Sequence, residues 1–178
     1  MKVRKTTIEG LFILDLFHAE DNRGGFVKTF HKASFEEHGL NTHFEESFYS
    51  KNNAGVIRGM HFQTPPFDHD KLVYCTHGSL IDVILDIRSD SPTYGKYASI
   101  ELTGSNNRAL FISKGLAHGF ESLEDETMMT YLTSTMHEPT HDQGIKYDSF
   151  GKVWDAAHPI LNPRDLEWPT LDEYDSPF

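Results

Sequence analysis

Residues 72–102 read LVYCTHGSLIDVILDIRSDSPTYGKYASIEL. Three short runs rich in β-branched and aromatic residues stand in this stretch: Leu72–Thr76, Leu80–Ile87 and Tyr97–Leu102. Turn formers separate them, His77-Gly78 between the first two and Ser91-Pro92 before the third. No segment between them has the length or the 3.6-residue apolar period of a crossover helix. Strands at this spacing with no helices between predict antiparallel pairing in a sandwich or barrel. Within Leu80–Ile87, the apolar Ile81, Val83, Leu85 and Ile87 alternate with Asp82 and Asp86. That pattern predicts one face in the core and one toward a wet interior or solvent.

The same signals continue in both directions. Upstream, Phe44–Ser50 and Val56–Phe62 read as strands around an Asn52-Asn53 turn. Downstream, Ala109–Ile112, His118–Leu123 and Met128–Leu132 follow, with turns at Gly104-Ser105-Asn106 and Glu124-Asp125. Nearer the N-terminus, Leu11–Leu14 is β-rich, His18–Arg23 is acidic and turn-like, and Val27–Phe30 is a further strand. A single short helix is expected over Ser34–Gly39, with Ser34 as cap and Gly39 as stop. The tail after Gly151, rich in Pro, Trp and Asp, is expected to cover the β core as loops and a short helix. The expectation is one all-β domain over residues 1–178.

Composition narrows the function. The chain has 178 residues, enough for one sizeable core. Its net charge is −11, from 27 acidic and 16 basic residues, which argues against general nucleic-acid binding. A single cysteine, Cys75, permits no internal disulfide, and MKVRKTTIEG lacks an apolar signal core. A reducing cytoplasm and no membrane contact are the expectation.

The chemistry candidates gather around Gly55–Lys71, GVIRGMHFQTPPFDHDK. Strict strand alternation would set Ile57, Gly59 and His61 on one face and Arg58, Met60 and Phe62 on the other. His61 with Gln63 resembles half of a two-histidine metal motif whose second histidine is replaced. His69 and His118 are the residues that would have to complete such a site, and no metal is expected. Lys71 opens a strand. Partly desolvated, it would stabilise an oxyanion by charge and hydrogen bonding. His118, between glycine-rich neighbours in Lys114–Phe120, suits a cavity wall. Tyr131 sits mid-strand, either as packing or as a weak acid facing a pocket. Arg23, beside Gly24-Gly25, is a candidate phosphate contact. Cys75 reads as a small buried hydrophobe.

Taken together, RGMHFQTPP with Lys71, SPTYG, ISKGLAHGF and ILNPRD resemble the nucleotide-sugar 3,5-epimerases, over about Gly10 to Asp165. The resemblance implies a cupin-type jelly-roll β-sandwich with one or two short helices, no cofactor, and a homodimer that exchanges N-terminal strands. It also implies proton abstraction beside a 4-keto group, an enolate, and reprotonation from the opposite face. In those terms His61 is the base and Asp165 its partner. Lys71 stabilises the enolate oxygen with His118 lining the same pocket, and Tyr131 is the acid. Arg58 and Arg164 contact the diphosphate, with Gln63 and Glu46 among the substrate contacts. Arg23 and Phe26 complete the neighbouring subunit's site.

The sequence departs from the family at Lys28, Glu46 and Phe48, where glutamate, glutamine and asparagine are usual, and in the Thr135–Asp142 segment. The nucleotide is thereby left open among TDP, CDP and GDP. A ketoisomerase on the same sugars and a non-catalytic sugar-binding cupin are the alternatives.

Overall fold

The computed structural model describes residues 1–178. Two antiparallel sheets face each other. The strands of the first are β1 (Lys2–Lys5), β2 (Leu11–Asp15), β5 (Glu46–Asn52), β7 (Lys71–His77), β10 (Arg108–Ile112) and β12 (Thr127–Thr133), in the order β1-β2-β10-β7-β12-β5. The second holds β6 (Ile57–Gln63), β8 (Ser79–Asp86), β9 (Tyr97–Thr103), β11 (Leu116–Ser122) and β13 (Asp142–Gly144), in the order β13-β6-β11-β8-β9. A separate hairpin joins β3 (Phe17–Asp21) to β4 (Gly24–Lys28). The helices are α1 (Lys32–Glu37) and α2 (Pro163–Leu166). The chain is the nearly all-β sandwich of the cupin kind.

Leu80, Ile84, Leu102 and Phe120 of one sheet meet Val73, Leu110, Ile112 and Met129 of the other. Each fully buried aliphatic side chain contributes ~1.5–3 kcal/mol, so a disulfide is not needed to hold this core. The outer faces are also covered. Phe35 of α1 packs with Leu14, Leu72 and Phe111 behind the six-stranded sheet. The tail lays Leu171, Tyr174 and Phe178 against Met60, Phe62, Val83 and Leu85 behind the other.

That tail corrects the expectation for β8. Both faces of the strand are buried, and Asp82 and Asp86 are fully enclosed. Asp86 is satisfied by Arg88 and by the hydroxyls of Ser91 and Thr93, each 2.6 Å from Oδ2. The SPTYG run is therefore a loop that closes over a buried carboxylate. Two other expectations move. The helix starts after His31, with no side-chain cap, and Ser34 lies inside it. His18–Arg23 is mostly strand and its turn, since Phe17–Asp21 pairs with Gly24–Lys28. The pairing ends before Phe30, which packs on Phe35 instead.

The strand that carries Arg58, His61 and Gln63 is irregular. His118 lies opposite His61, but Phe120 lies opposite Arg58. Three steps on β6 thus match two on β11, which is a β-bulge. The extra residue resets the alternation, so Arg58 and His61 share one face, contrary to simple period-2 reading. Gly59 makes the bulge possible. Its φ is +144°, and a Cβ there would stand 2.6 Å from the Gly119 Cα, so no side chain fits.

Candidate active site

A cavity of about 380 Å³ opens between the sheets. His61, Arg58 and Gln63 enter it from β6 and His118 from β11. From the facing sheet come Lys71 on β7, Tyr131 and Thr133 on β12, and Glu46, Phe48 and Ser50 on β5. His69, His137, Asp142 and Arg164 complete its rim.

His61 is held from behind. Its Nε2 lies 2.8 Å from Asp165 Oδ1. Asp165 is buried on α2, which the tail brings into place: Ile160 exchanges backbone hydrogen bonds with Gly55 and Ile57 at the entry to β6. Asn162 then caps α2 by accepting from the Arg164 N–H. Burial raises the Asp165 carboxyl pKa, but the His61 contact, the Gly59 N–H and the Arg164 charge outweigh it and hold the group below its ordinary value. A carboxylate accepting from Nε2–H leaves Nδ1 with the lone pair, and Nδ1 has no protein partner.

Beside it, His118 Nε2 lies 2.6 Å from Asp82 Oδ1, both buried. Asp82 was missed in the sequence as a partner. An Asp flanked on both sides by apolar residues within β8 was the available signal. Burial pushes its carboxyl above the usual range, against the pull of His118. Lys71 is buried too, and its Nζ donates to the His61 carbonyl at 3.1 Å. Desolvation lowers its pKa to about 8, with Asp142 and Asp82 opposing. It is a cation at neutral pH that loses its proton within reach of ordinary assay conditions. If that cation carries enolate charge, kcat falls as pH rises through about 8. Lys71→Met should remove the limb and lower kcat by ~10²–10³-fold, as a pH–rate series would show.

Tyr131 faces His61 and His118 from the other sheet. Its ring stacks on Phe48 at 4.7 Å and 15°, and meets the His118 ring edge-on at 6.0 Å. Burial pushes the phenol above its ordinary range, while the Ser50 hydroxyl, 3.4 Å away, and the Arg58 charge pull it back.

The remaining predicted residues divide. Gln63 lines the cavity, but its amide is committed: Nε2 donates to the Phe67 carbonyl at 2.8 Å and Oε1 accepts from the Glu138 N–H at 2.7 Å. It ties two rim loops together. Arg164 pairs with Asp142 at 2.7 Å and lies over the Trp168 ring. Glu46 has no intramolecular partner. Arg23 and Phe26 are not in this cavity at all. They sit on the β3–β4 hairpin, where Arg23 pairs with Asp21 and its side chain is 85% exposed. His69 lines the rim with its ring neutral: burial and then Lys71 push its pKa down to about 3. No three His, Cys, Asp or Glu side chains gather as a metal site.

A sequence model of the dTDP-4-dehydrorhamnose 3,5-epimerases matches residues 5–173. The chain belongs to this family. It is 37% identical over 169 residues to dTDP-4-dehydrorhamnose 3,5-epimerase of Shigella flexneri, covering 93% of each chain. Among solved structures, the Bacillus anthracis dTDP-4-dehydrorhamnose 3,5-epimerase with TDP and PPi bound superposes with a TM-score of 0.92 at 32% identity, over 95% of this chain and 98% of that one. The Legionella pneumophila epimerase in complex with dTDP-4-keto-L-rhamnose gives 0.93 at 31% identity, over 98% and 94%. The protein is thus an isomerase of the epimerase type. Glu46 and Phe48, two positions where the sequence reading expects a departure from the family, both line the cavity.

Proposed function

We propose that the protein inverts C3, C5 or both in a dTDP-linked 4-keto-6-deoxyhexose during deoxysugar biosynthesis. The observation that carries this reading is the placement of His61 and Tyr131 on facing sheets of one cavity. A sugar ring between them meets a base on one face and an acid on the other, which is what inversion requires. The thymidine nucleotide is favoured over CDP and GDP by the TDP and dTDP-sugar bound in the two related structures.

The 4-keto group acidifies the neighbouring C–H bonds. His61 Nδ1 takes the proton, and Asp165 fixes the tautomer and supports the imidazolium that forms. Negative charge develops on the C4 oxygen, where Lys71 and His118 stabilise it. Tyr131 delivers a proton to the opposite face and the carbonyl is restored. Arg58 shares the cavity face of β6 with His61 and holds the diphosphate. The step draws on the chain's own side chains, in line with an enzyme that needs no cofactor. The test is incubation in deuterated water with TDP-, CDP- and GDP-linked 4-keto-6-deoxy sugars. Deuterium at C3 or C5 with inverted product is expected for the TDP sugar. Carbonyl migration would indicate a ketoisomerase, and absence of exchange with all three sugars would leave only binding.

The working unit in this reading is a homodimer. All twelve residues of the β3–β4 hairpin, Phe17 to Lys28, are exposed, including Phe17 at 52% and Phe26 at 57%. Such a two-stranded ribbon is marginal alone and gains a hydrophobic face on a second copy, carrying Arg23 and Phe26 toward that copy's cavity. Light scattering should give twice the 20.3 kDa chain mass. A fully active monomer would refute the assembly.

A further inference from the structure

Tyr131 is joined to Arg58 by two side chains that neither the fold nor the proposed chemistry otherwise requires. The Arg58 Nε–H donates to Asn52 Oδ1 at 2.8 Å. Asn52 Nδ2 donates one hydrogen to the Thr127 carbonyl at 3.0 Å and shares the other between Ser50 Oγ at 3.1 Å and the Ser50 carbonyl at 3.2 Å. Ser50 Oγ lies 3.4 Å from the Tyr131 hydroxyl. The direction of the chain is fixed at its start. A guanidinium can only donate and a backbone carbonyl can only accept, so the Asn52 amide has one orientation. Ser50 therefore accepts from Asn52. Its own hydrogen is then free to be donated to the Tyr131 oxygen, which becomes the stronger acceptor of the two once Tyr131 is a phenolate. Asn52 is almost fully buried and Ser50 is on the cavity wall.

Resting on the function proposed above, we propose that Ser50 and Asn52 form a donor relay from Arg58 that positions Tyr131 and stabilises the phenolate it becomes. When the acid acts, the phenol O–H bond breaks and its electron pair stays on oxygen. The enolate's π pair forms the new C–H bond, and the C4 carbonyl is restored. A hydrogen bond from Ser50 favours that phenolate. Each donor upstream polarises the next, and the cation at the head gives the chain its sign. Because Arg58 also faces the ligand's diphosphate, the relay links the nucleotide end of the substrate to the acid.

The relay predicts an effect confined to reprotonation. Ser50→Ala should lower inversion by ~10-fold, the low end for a hydrogen bond to a charged group because the contact is long. Deuterium exchange into recovered substrate and KM should stay at wild-type values, and Ser50→Thr, which keeps the hydroxyl, should restore inversion. Asn52→Leu should act in the same direction, and the double variant should be no worse than Ser50→Ala alone, since both break one chain. Ser50→Cys, a poorer donor of similar shape, replaces the alanine variant if that one melts early. A readout independent of turnover is a fluorinated tyrosine at position 131, titrated by ¹⁹F NMR. Its ionisation should move to higher pH with Ser50→Ala and stay in place with Ser50→Thr. Equal titration in all three proteins would overturn the relay, as would strictly additive losses. A wild-type enzyme that neither exchanges nor inverts would instead overturn the function, while the titration would still judge the relay.

Discussion

His61→Ala should abolish both deuterium exchange and inversion. In the proposed mechanism His61 is the base and the first group to act, so nothing downstream can compensate for its loss. General acid–base groups contribute ~10²–10⁴-fold, and removal of the only base on its face of the sugar belongs at or beyond that range. The structure isolates the effect. His61 has one side-chain partner, Asp165 at 2.8 Å, and its ring is partly open to the cavity rather than buried in the core. Thermal stability should therefore change little while the rate collapses. Asp165→Asn should weaken the same step by a smaller factor. It leaves the imidazole in place but offers an amide donor where Nε2–H needs an acceptor, which favours the wrong tautomer. An alanine variant that exchanges substrate protons at the wild-type rate would remove His61 as the base.

How much of this was legible in the sequence depends on the range of the interaction. Strands that carry their own apolar pattern, such as β7, β8 and β12, were readable to within a residue or two. The strands missed were those whose pattern is supplied elsewhere. The β1 strand is the charged run KVRK, and β13 has three residues and exists through pairing with β6. The exposed, acidic β3 has no core face to announce it. In the site, His61, Lys71, His118 and Tyr131 were singled out by local chemistry. Their convergence on one cavity is what the family resemblance implies, and the structure brings the four together. What the sequence pattern does not show is that Arg58 shares the face of His61, because the β-bulge at Gly59 overrides the alternation that a strand-like run implies. Asp165 came from the family resemblance, and only the tail's docking on β6 explains why a residue 104 positions away touches His61. Ser50, Asn52 and Asp82 carry no local signal beyond being polar in a strand. Their partners are fixed by sheet register, which single-sequence reading does not resolve.

Tyr131→Phe should separate the two halves of the reaction. The substitution keeps the ring, its stack on Phe48 and its edge contact with His118. It removes one oxygen whose only protein partner is the 3.4 Å contact to Ser50. Folding should be unaffected, and His61 lies on the opposite sheet with Asp165 behind it on α2. The enolate should still form, so substrate recovered from deuterated water should carry deuterium at the abstracted position. Inversion should fall by ~10²–10⁴-fold, the range for loss of a general acid, because the only proton source left is His61 on the face from which the proton came. The ratio of exchange to inversion is the measurement, and it should rise by the full factor while the exchange rate barely moves. A parallel fall in exchange and inversion would show that Tyr131 acts before the enolate forms. A phenylalanine variant that inverts at the wild-type rate would show that the proton reaches the second face from another group. Of the other cavity groups, His118 and Lys71 lie nearest to that task. They differ in sheet: His118 sits beside His61 and approaches from the base's side, whereas Lys71 is on the acid's sheet, bonded to the His61 carbonyl. Lys71 would then be the residue to replace next, with Tyr131→Phe as the background.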